Sequence, residues 1–221
     1  MPSVYDVAVI GSGIIGAAAA QQLVADGYKT VLLERNDFGS GTSSRTSSLQ
    51  HCGLSYFSAA ASSITAFLFH PLFALKSLEL ARRAMRGRAE FVRTCPERVE
   101  KVIFYVPLTA SNDISMAKAR MAFRILAAFD GGISLELKAY SAEEAKRLPA
   151  FSGIADHDQL RGAISFAEYQ YKWPERIVID TVVKARAQGL AAHNYTDVTA
   201  MERVDGLWRV TCRKRDGSLG H

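Results

Sequence analysis

Three glycines within six residues, Gly11-Ser12-Gly13-Ile14-Ile15-Gly16, follow the apolar run Val4 to Ile10 and open an alanine-lined stretch from Ile14 to Ala25. Few architectures accommodate that succession. A buried strand that turns sharply into a helix, ends the helix at Gly27 and reaches a second strand at Thr30 to Glu34 is a βαβ unit. Gly11 permits the tight turn, Gly13 removes a Cβ that would keep a diphosphate from the backbone, and Gly16 lets helix and strand approach closely. The free amides at the helix start then face the phosphates, where the helix dipole also favours negative charge. Glu34 closes the second strand roughly 20 residues downstream, where a carboxylate accepts hydrogen bonds from ribose hydroxyls and repels a 2′-phosphate. Arg35 follows it directly. The glycine pattern alone is a weak signal, and its bland reading is a turn in an α/β protein that binds no nucleotide; strand, helix and Glu34 together favour a dinucleotide. NAD and FAD both remain open on these residues.

Beyond Glu34, residues 37–48 form a small polar stretch rich in Gly, Ser and Thr, suited to a loop passing close to a ligand. Helices are expected over 74–95, 114–129 and 141–148, the last with Ser141 and Glu144 as a capping box, and over 174–187, where Pro174 sits in the first turn. Strands are expected at 102–106, 162–167, 191–195, 198–203 and 207–212. Asp205-Gly206 marks a hairpin turn. Asp216-Gly217 is a second turn signal, with the chain ending too soon for a following strand, which suggests a fragment or truncated product.

At 221 residues, 48% hydrophobic and 22% charged, the chain can bury a sizeable core. The formal charge of +5 comes largely from residues 76–93, where Lys76, Arg82, Arg83, Arg86, Arg88 and Arg93 face only Glu79 and Glu90. This reads as a solvated arginine face, and also as a helix able to rest on anionic lipid. No aromatic interleaving accompanies the charge, so nucleic-acid binding is not expected. Cys52, Cys95 and Cys212 are odd in number and lack CxxC spacing, and the five histidines show no ligand spacing, so neither a disulfide framework nor a metal site is expected. The first strand starts too early for a signal peptide, and the apolar run from Ile64 to Leu75 is shorter than the roughly 20 residues that span a bilayer. A cytoplasmic protein follows, peripheral on the cytoplasmic face of the membrane if the basic helix engages lipid.

The segment Gly41-Thr42-Ser43-Ser44-Arg45-Thr46-Ser47-Ser48-Leu49-Gln50-His51-Cys52-Gly53-Leu54-Ser55-Tyr56 resembles the flavin-proximal segment of FAD-dependent glycerol-3-phosphate dehydrogenases, within the D-amino-acid-oxidase-like flavoproteins. Tyr169-Gln170, Pro174-Glu175-Arg176, Asn194 to Val198 and Gly206 to Val210 are similar too. The resemblance implies an α/β fold: a Rossmann-like FAD-binding βαβ unit with part of a mixed α+β substrate or cap region, truncated relative to the family. Residues 1–56 would hold the βαβ unit and flavin segment, 57–168 a helical substrate-side region, and 169–221 a return to the FAD domain.

The same resemblance implies that FAD is the cofactor, that Gly11, Ser12, Gly13, Ile14, Ile15, Gly16, Glu34, Arg35, Thr42, Ser43 and Ser44 contact it, and that Val198 does so through its backbone. It implies a hydride passing from a secondary alcohol to flavin and electrons passing on to quinone or oxygen, quinone being the partner that a peripheral membrane contact would suit. His51 is the catalytic candidate, as the group in this segment suited to acid–base work near neutral pH, set against a purely positioning role. Tyr56 is the substrate-contact candidate, set against simple packing. Three departures stand out: Ser55 replaces an arginine that binds the substrate phosphate, Ser48 a lysine, and Cys52 a glycine. A serine offers one neutral hydrogen bond in place of a charge-assisted fork. Glycerol 3-phosphate is therefore the leading substrate expectation. The alternatives are a dehydrogenase of another hydroxy or amino substrate and an inactive or truncated nucleotide-binding homologue. The oligomeric state and the activity of the chain alone stay open.

Overall fold

The computed structural model describes residues 3–51, 71–109, 115–154 and 157–220. In chain order the elements are β1 (Val7–Ile10), α1 (Ile14–Ala25), β2 (Thr30–Leu33), β3 (Leu49–Gln50), α2 (Pro71–Thr94), β4 (Val99–Thr109), α3 (Met116–Ala127), β5 (Lys138–Ser141), α4 (Ala142–Lys146), β6 (Leu160–Tyr171), α5 (Pro174–Ala187), β7 (Ala191–His193), β8 (Thr196–Val204), β9 (Leu207–Lys214) and β10 (Leu219–Gly220), with short 3-10 turns between some of them. Two compact units result: Met1–Ser48 with Trp173–His221, and Leu49–Lys172.

The first unit is the α/β body that the glycine run anticipates. Strand β2 lies between β1 and β7, parallel to both, with Leu32 opposite Val9 and Ala192. All four β2 residues are buried, as expected for the middle strand of a parallel sheet. Helix α1 runs into Gly27, whose φ of +90° suits glycine, and the amides of Gly27 and Tyr28 return to the carbonyls of Val24 and Leu23. Small residues on α1, Ala17 and Ala20, pack with Leu32 and with Val178, Val182 and Ala185 of α5 into one core. Proline at its first turn and Gly189 past its end frame α5.

An antiparallel meander, β8-β9-β10, completes this unit. Asp205 and Gly206 at the first turn have φ of +51° and +82°, the pair of positive values that a two-residue hairpin of matching twist requires. The second turn corrects the sequence reading. The signal at Asp216-Gly217 does lead into a strand, because Leu219 and Gly220 pair back onto Arg213 and Cys212. A two-residue strand is too short to leave a periodic trace.

The second unit is built on an antiparallel sheet in which the 12-residue β6 pairs with β4 along one edge and with β3 and β5 along the other. Helices α2 and α3 pack on Phe104, Val106, Ile164 and Phe166 through Ala81, Met85, Phe123 and Leu126. The Ser141 and Glu144 capping box forms at α4, with both reciprocal hydrogen bonds made. Here too the sequence reading needs correction, since Arg88 does not belong to a solvated arginine face. Its side chain is fully buried, donates to the carbonyls of Ile133 (2.7 Å) and Ala167 (3.1 Å), stands 3.9 Å from Glu168 and lies over the Tyr169 ring. Arg93 likewise donates to the carbonyl of Gly131. Arg82, Arg83 and Arg86 are exposed. A helix placing Met85, Arg88 and Ala89 on its inner face must bury the arginine, and main-chain carbonyls supply acceptors that no sequence pattern advertises. Among the described residues no helix is long and apolar enough to cross a membrane.

Candidate cofactor site

Gly11, Gly13 and Gly16 meet three different demands. Gly11 has φ of +94°, which a side chain would strain. Gly16 is fixed by packing, since a Cβ there would lie 1.9 Å from the Gly11 carbonyl oxygen. Gly13 answers to neither constraint. Its φ of −65° suits any residue, and an added Cβ would meet only Ser43 Oγ at 3.4 Å. Nothing in the protein's own packing requires glycine at this position. A Cβ there would stand in the way of a ligand approaching the main chain from outside.

The carboxylate of Glu34 is held from three sides. Oε2 accepts from the Ser12 amide (2.8 Å) and from Ser12 Oγ (3.3 Å), while Oε1 accepts from the Asn36 amide (2.8 Å). Its main chain is tied as firmly, its amide donating to the His193 carbonyl and its carbonyl accepting from the Thr196 amide. The half-buried carboxylate is thereby set at the end of β2, beside the glycine corner. Ser12 is fully buried, and its carbonyl accepts from the Gly39 amide at 3.0 Å.

Residues Thr42–Ser44 form a 3-10 turn against the start of α1. Ser43 is buried and its Oγ accepts from the Ile14 amide at 2.9 Å. The helix start is therefore not lined wholly by free amides: a hydroxyl already caps that of Ile14. The other first-turn amides, which an α-helix cannot pair internally, are those of Gly13, Ile15 and Gly16. A hydroxyl that accepts from a main-chain amide can still donate its own proton outward. Thr42 and Ser44 are exposed, with Ser44 Oγ turned back to the Gly41 carbonyl.

Loops after β2 and β7 brace this corner. Asp37 accepts from the Asn194 side chain and the Phe38 amide, both at 2.9 Å, and these bonds, that of Asn194 first, hold its carboxyl below the usual aspartate range. Val198 is half-buried and packs against the cluster of Val31, Leu33 and Cys212. Burial, then the nearby Asp197 charge, raises the Cys212 thiol.

The structure thus collects Gly11 to Gly16, Glu34, Arg35, Thr42, Ser43, Ser44 and Val198 in the first unit. Arg35 is exposed. His51 follows β3 in the second unit and is exposed. Tyr56, Cys52 and Ser55 lie outside the described residues. Sequence reasoning missed the bracing pair Asp37 and Asn194, for which the chain carries no local signal: the partners are 157 residues apart. It also missed the Ser43 cap on Ile14, for the same reason. Among the described residues no group of three or more His, Cys, Asp or Glu side chains stands together to hold a metal ion.

A family model described as FAD dependent oxidoreductase matches residues 6–220. Glycerol-3-phosphate dehydrogenase of Synechocystis sp. is 27% identical over 201 residues, covering 90% of this chain and 33% of that protein. Among solved structures, the glycerol-3-phosphate dehydrogenase from Bacillus halodurans complexed with FAD superposes with a TM-score of 0.63 at 20% identity, over 97% of this chain and 32% of that one. L-proline dehydrogenase from P. horikoshii does so with a TM-score of 0.65 at 19% identity, over 98% and 50%. The chain spans about a third of the length of the curated relative it matches.

Proposed function

Because the chain belongs to the FAD dependent oxidoreductase family, we propose that it forms the cofactor-binding part of a flavin-dependent dehydrogenase of a small polar substrate, with glycerol 3-phosphate the leading candidate. The observation that carries this reading is Gly13, a glycine left without an internal reason beside a carboxylate held by Ser12 and Asn36. In this reading the first-turn amides of α1 and the Ser43 hydroxyl hold the diphosphate, Glu34 takes the ribose hydroxyls with Arg35 beside it, and Thr42, Ser44 and the main chain of Val198 complete the cradle. Bound FAD supplies the two-electron acceptor. The protein supplies orientation: a fixed carboxylate and fixed amides select a ribosyl diphosphate without lysine and disfavour a 2′-phosphate. His51 is proposed to hold or move the substrate hydroxyl proton, and Tyr56 to contact substrate.

The test has two stages. Protein purified with FAD is expected to retain it, and Gly13→Val to lose it while keeping its circular dichroism; equal retention by both would remove the reading. Glycerol 3-phosphate is then expected to bleach the flavin absorbance of the FAD-loaded protein, with His51→Asn slowing bleaching but not flavin retention. Ser55 favours a second substrate reading, a hydroxy or amino acid without phosphate, because a neutral hydroxyl stands where the resemblance leads one to expect an arginine. Bleaching by such a compound, with none by glycerol 3-phosphate, would select it.

A further inference from the structure

Beginning at the two residues after Glu34, the first unit carries a strongly cationic cleft of about 680 Å³, lined by Arg35, Asn36, Arg213, Lys214 and Arg215 together with Tyr195 and Asp197. Neither Glu34 nor any residue from Gly11 to Gly16 lines it. A second cleft of about 470 Å³ shares Tyr195, Lys214 and Arg215 with it and adds Arg186 and His193. Four cations face one carboxylate in the larger cleft, and that carboxylate is partly answered by Arg213 at 3.7 Å.

Arg213 and Arg215 are held, the first by Asp197 and the second by Tyr195. Tyr195 has φ of +50°, and its main chain is spoken for at both ends, the amide donating to the Asn36 carbonyl (2.9 Å) and the carbonyl accepting from the Arg215 amide (3.0 Å). The Arg215 guanidinium then folds over the Tyr195 ring, 4.9 Å from its centroid. An arginine stacked on an aromatic face loses little further freedom when its N–H edge meets an oxyanion. Arg213 and Asp197 are directly opposed across β8 and β9. The turn that carries Arg215 closes through Asp216, a residue lining the second cleft, whose carboxyl accepts from the amide and hydroxyl of Ser218 and is thereby kept below the usual aspartate range.

We infer that this cleft, which shares Arg35 with the dinucleotide cradle but none of its glycines nor Glu34, is a second anion site for a ligand bearing two or more linked phosphoryl groups. Forked arginines and a lysine recognise phosphoryl oxygens by charge-assisted hydrogen bonds. The volume falls in the range of small-molecule sites and exceeds the space one phosphate needs. The chemistry is shared by inorganic polyphosphate and the phosphate tail of a nucleotide.

Sodium tripolyphosphate is titrated by calorimetry into the FAD-loaded protein at low salt, beside inorganic phosphate, ATP and adenosine. Saturable one-site binding of tripolyphosphate is expected, tighter than inorganic phosphate and weakened by added salt. The R213Q/R215Q double variant is expected to lose at least tenfold in affinity, with flavin retention and melting temperature unchanged. ATP binding as tightly as tripolyphosphate identifies the bare phosphate chain as the ligand element; tighter ATP binding with no response to adenosine adds a nucleotide as its source; both uphold the site. Absent or non-saturating heats, affinity equal to that of inorganic phosphate, a double variant that binds as before, or binding abolished by FAD loading would overturn it, the last because the anion had been using the dinucleotide cradle. Arg35 borders both sites, which is why the flavin is loaded first. Should the protein retain no FAD, the flavin reading fails by itself, and the double variant still decides the cleft.

Discussion

At the scale of single residues, the glycine corner separates two reasons for a missing side chain. Gly16→Ala forces a Cβ to within 1.9 Å of the Gly11 carbonyl oxygen, backbone that cannot yield without moving β1 or α1. Urea titration is expected to show a loss of at least about 2 kcal/mol, the scale of overpacking. Gly13→Ala is expected to leave stability within about 1 kcal/mol, since the backbone is already in an ordinary conformation, while flavin affinity falls at least tenfold by fluorescence titration. Equal effects on both quantities at both sites would mean that Gly13 is there for packing after all. Arg88 gives a third residue-scale expectation. Truncating it to alanine removes the donor to the carbonyls of Ile133 and Ala167 and breaks a buried pair with Glu168, for which about 3 kcal/mol is the relevant scale. Arg83→Ala, an exposed arginine of the same helix paired with Glu79, is expected to cost less than about 1 kcal/mol. Asp37 adds a pH signature. Its folded-state pKa is depressed, so it stabilises the fold above the unfolded aspartate value of about 3.9, and that contribution fades as pH falls through the lower folded value. The stability gap between the native chain and Asp37→Asn is expected to be constant near neutrality and to close below about pH 4.

At the scale of elements, what could be read in advance follows from how locally each element is specified. Helix α5 starts at Pro174 and ends ahead of Gly189, and α4 announces itself by its capping box; both signals lie within a few residues of the element they bound. Ser141→Ala is expected to cost about 1 kcal/mol, read as a shifted urea midpoint. Strand β6 shows the opposite case. Only its segment from Gly162 to Ala167 could be anticipated, yet it runs from Leu160 to Tyr171 because three other strands pair with it. Strands β3 and β5 owe their existence to that pairing and carry no period of their own. The candidate site divides the same way. The glycines and Glu34 were legible because strand, turn and helix fall in sequence. The Ser43 cap, the brace between Asp37 and Asn194 and the burial of Arg88 were not, since each joins residues that only tertiary packing brings together.

At the scale of the whole molecule, the cradle cannot be assembled from the motif that announces it. Every glycine of the corner, Glu34 and Thr42 to Ser44 precede residue 49, but the unit that holds them closes only when the chain returns at Trp173. The return supplies β7, which pairs with β2 on the side away from β1, and Val178, Val182 and Ala185, which bury the inner face of α1. It also supplies Asn194, His193 and Thr196, the partners of Asp37 and of the Glu34 main chain. Without them β2 is an edge strand with one covered face, a poor state for a segment buried along its whole length. A chain ending at Lys172 is therefore expected to retain no FAD and to show weak amide protection across β1 and β2 in hydrogen exchange, although it keeps the complete GxGxxG motif. The full 221-residue chain is expected to protect Leu32 and its neighbours and to gain further protection as FAD is added, by about 2.7 kcal/mol at a hundredfold excess over Kd. Flavin retention by the shortened chain would show that the local motif suffices, and that the returning segment from Trp173 onward contributes nothing to holding the cofactor.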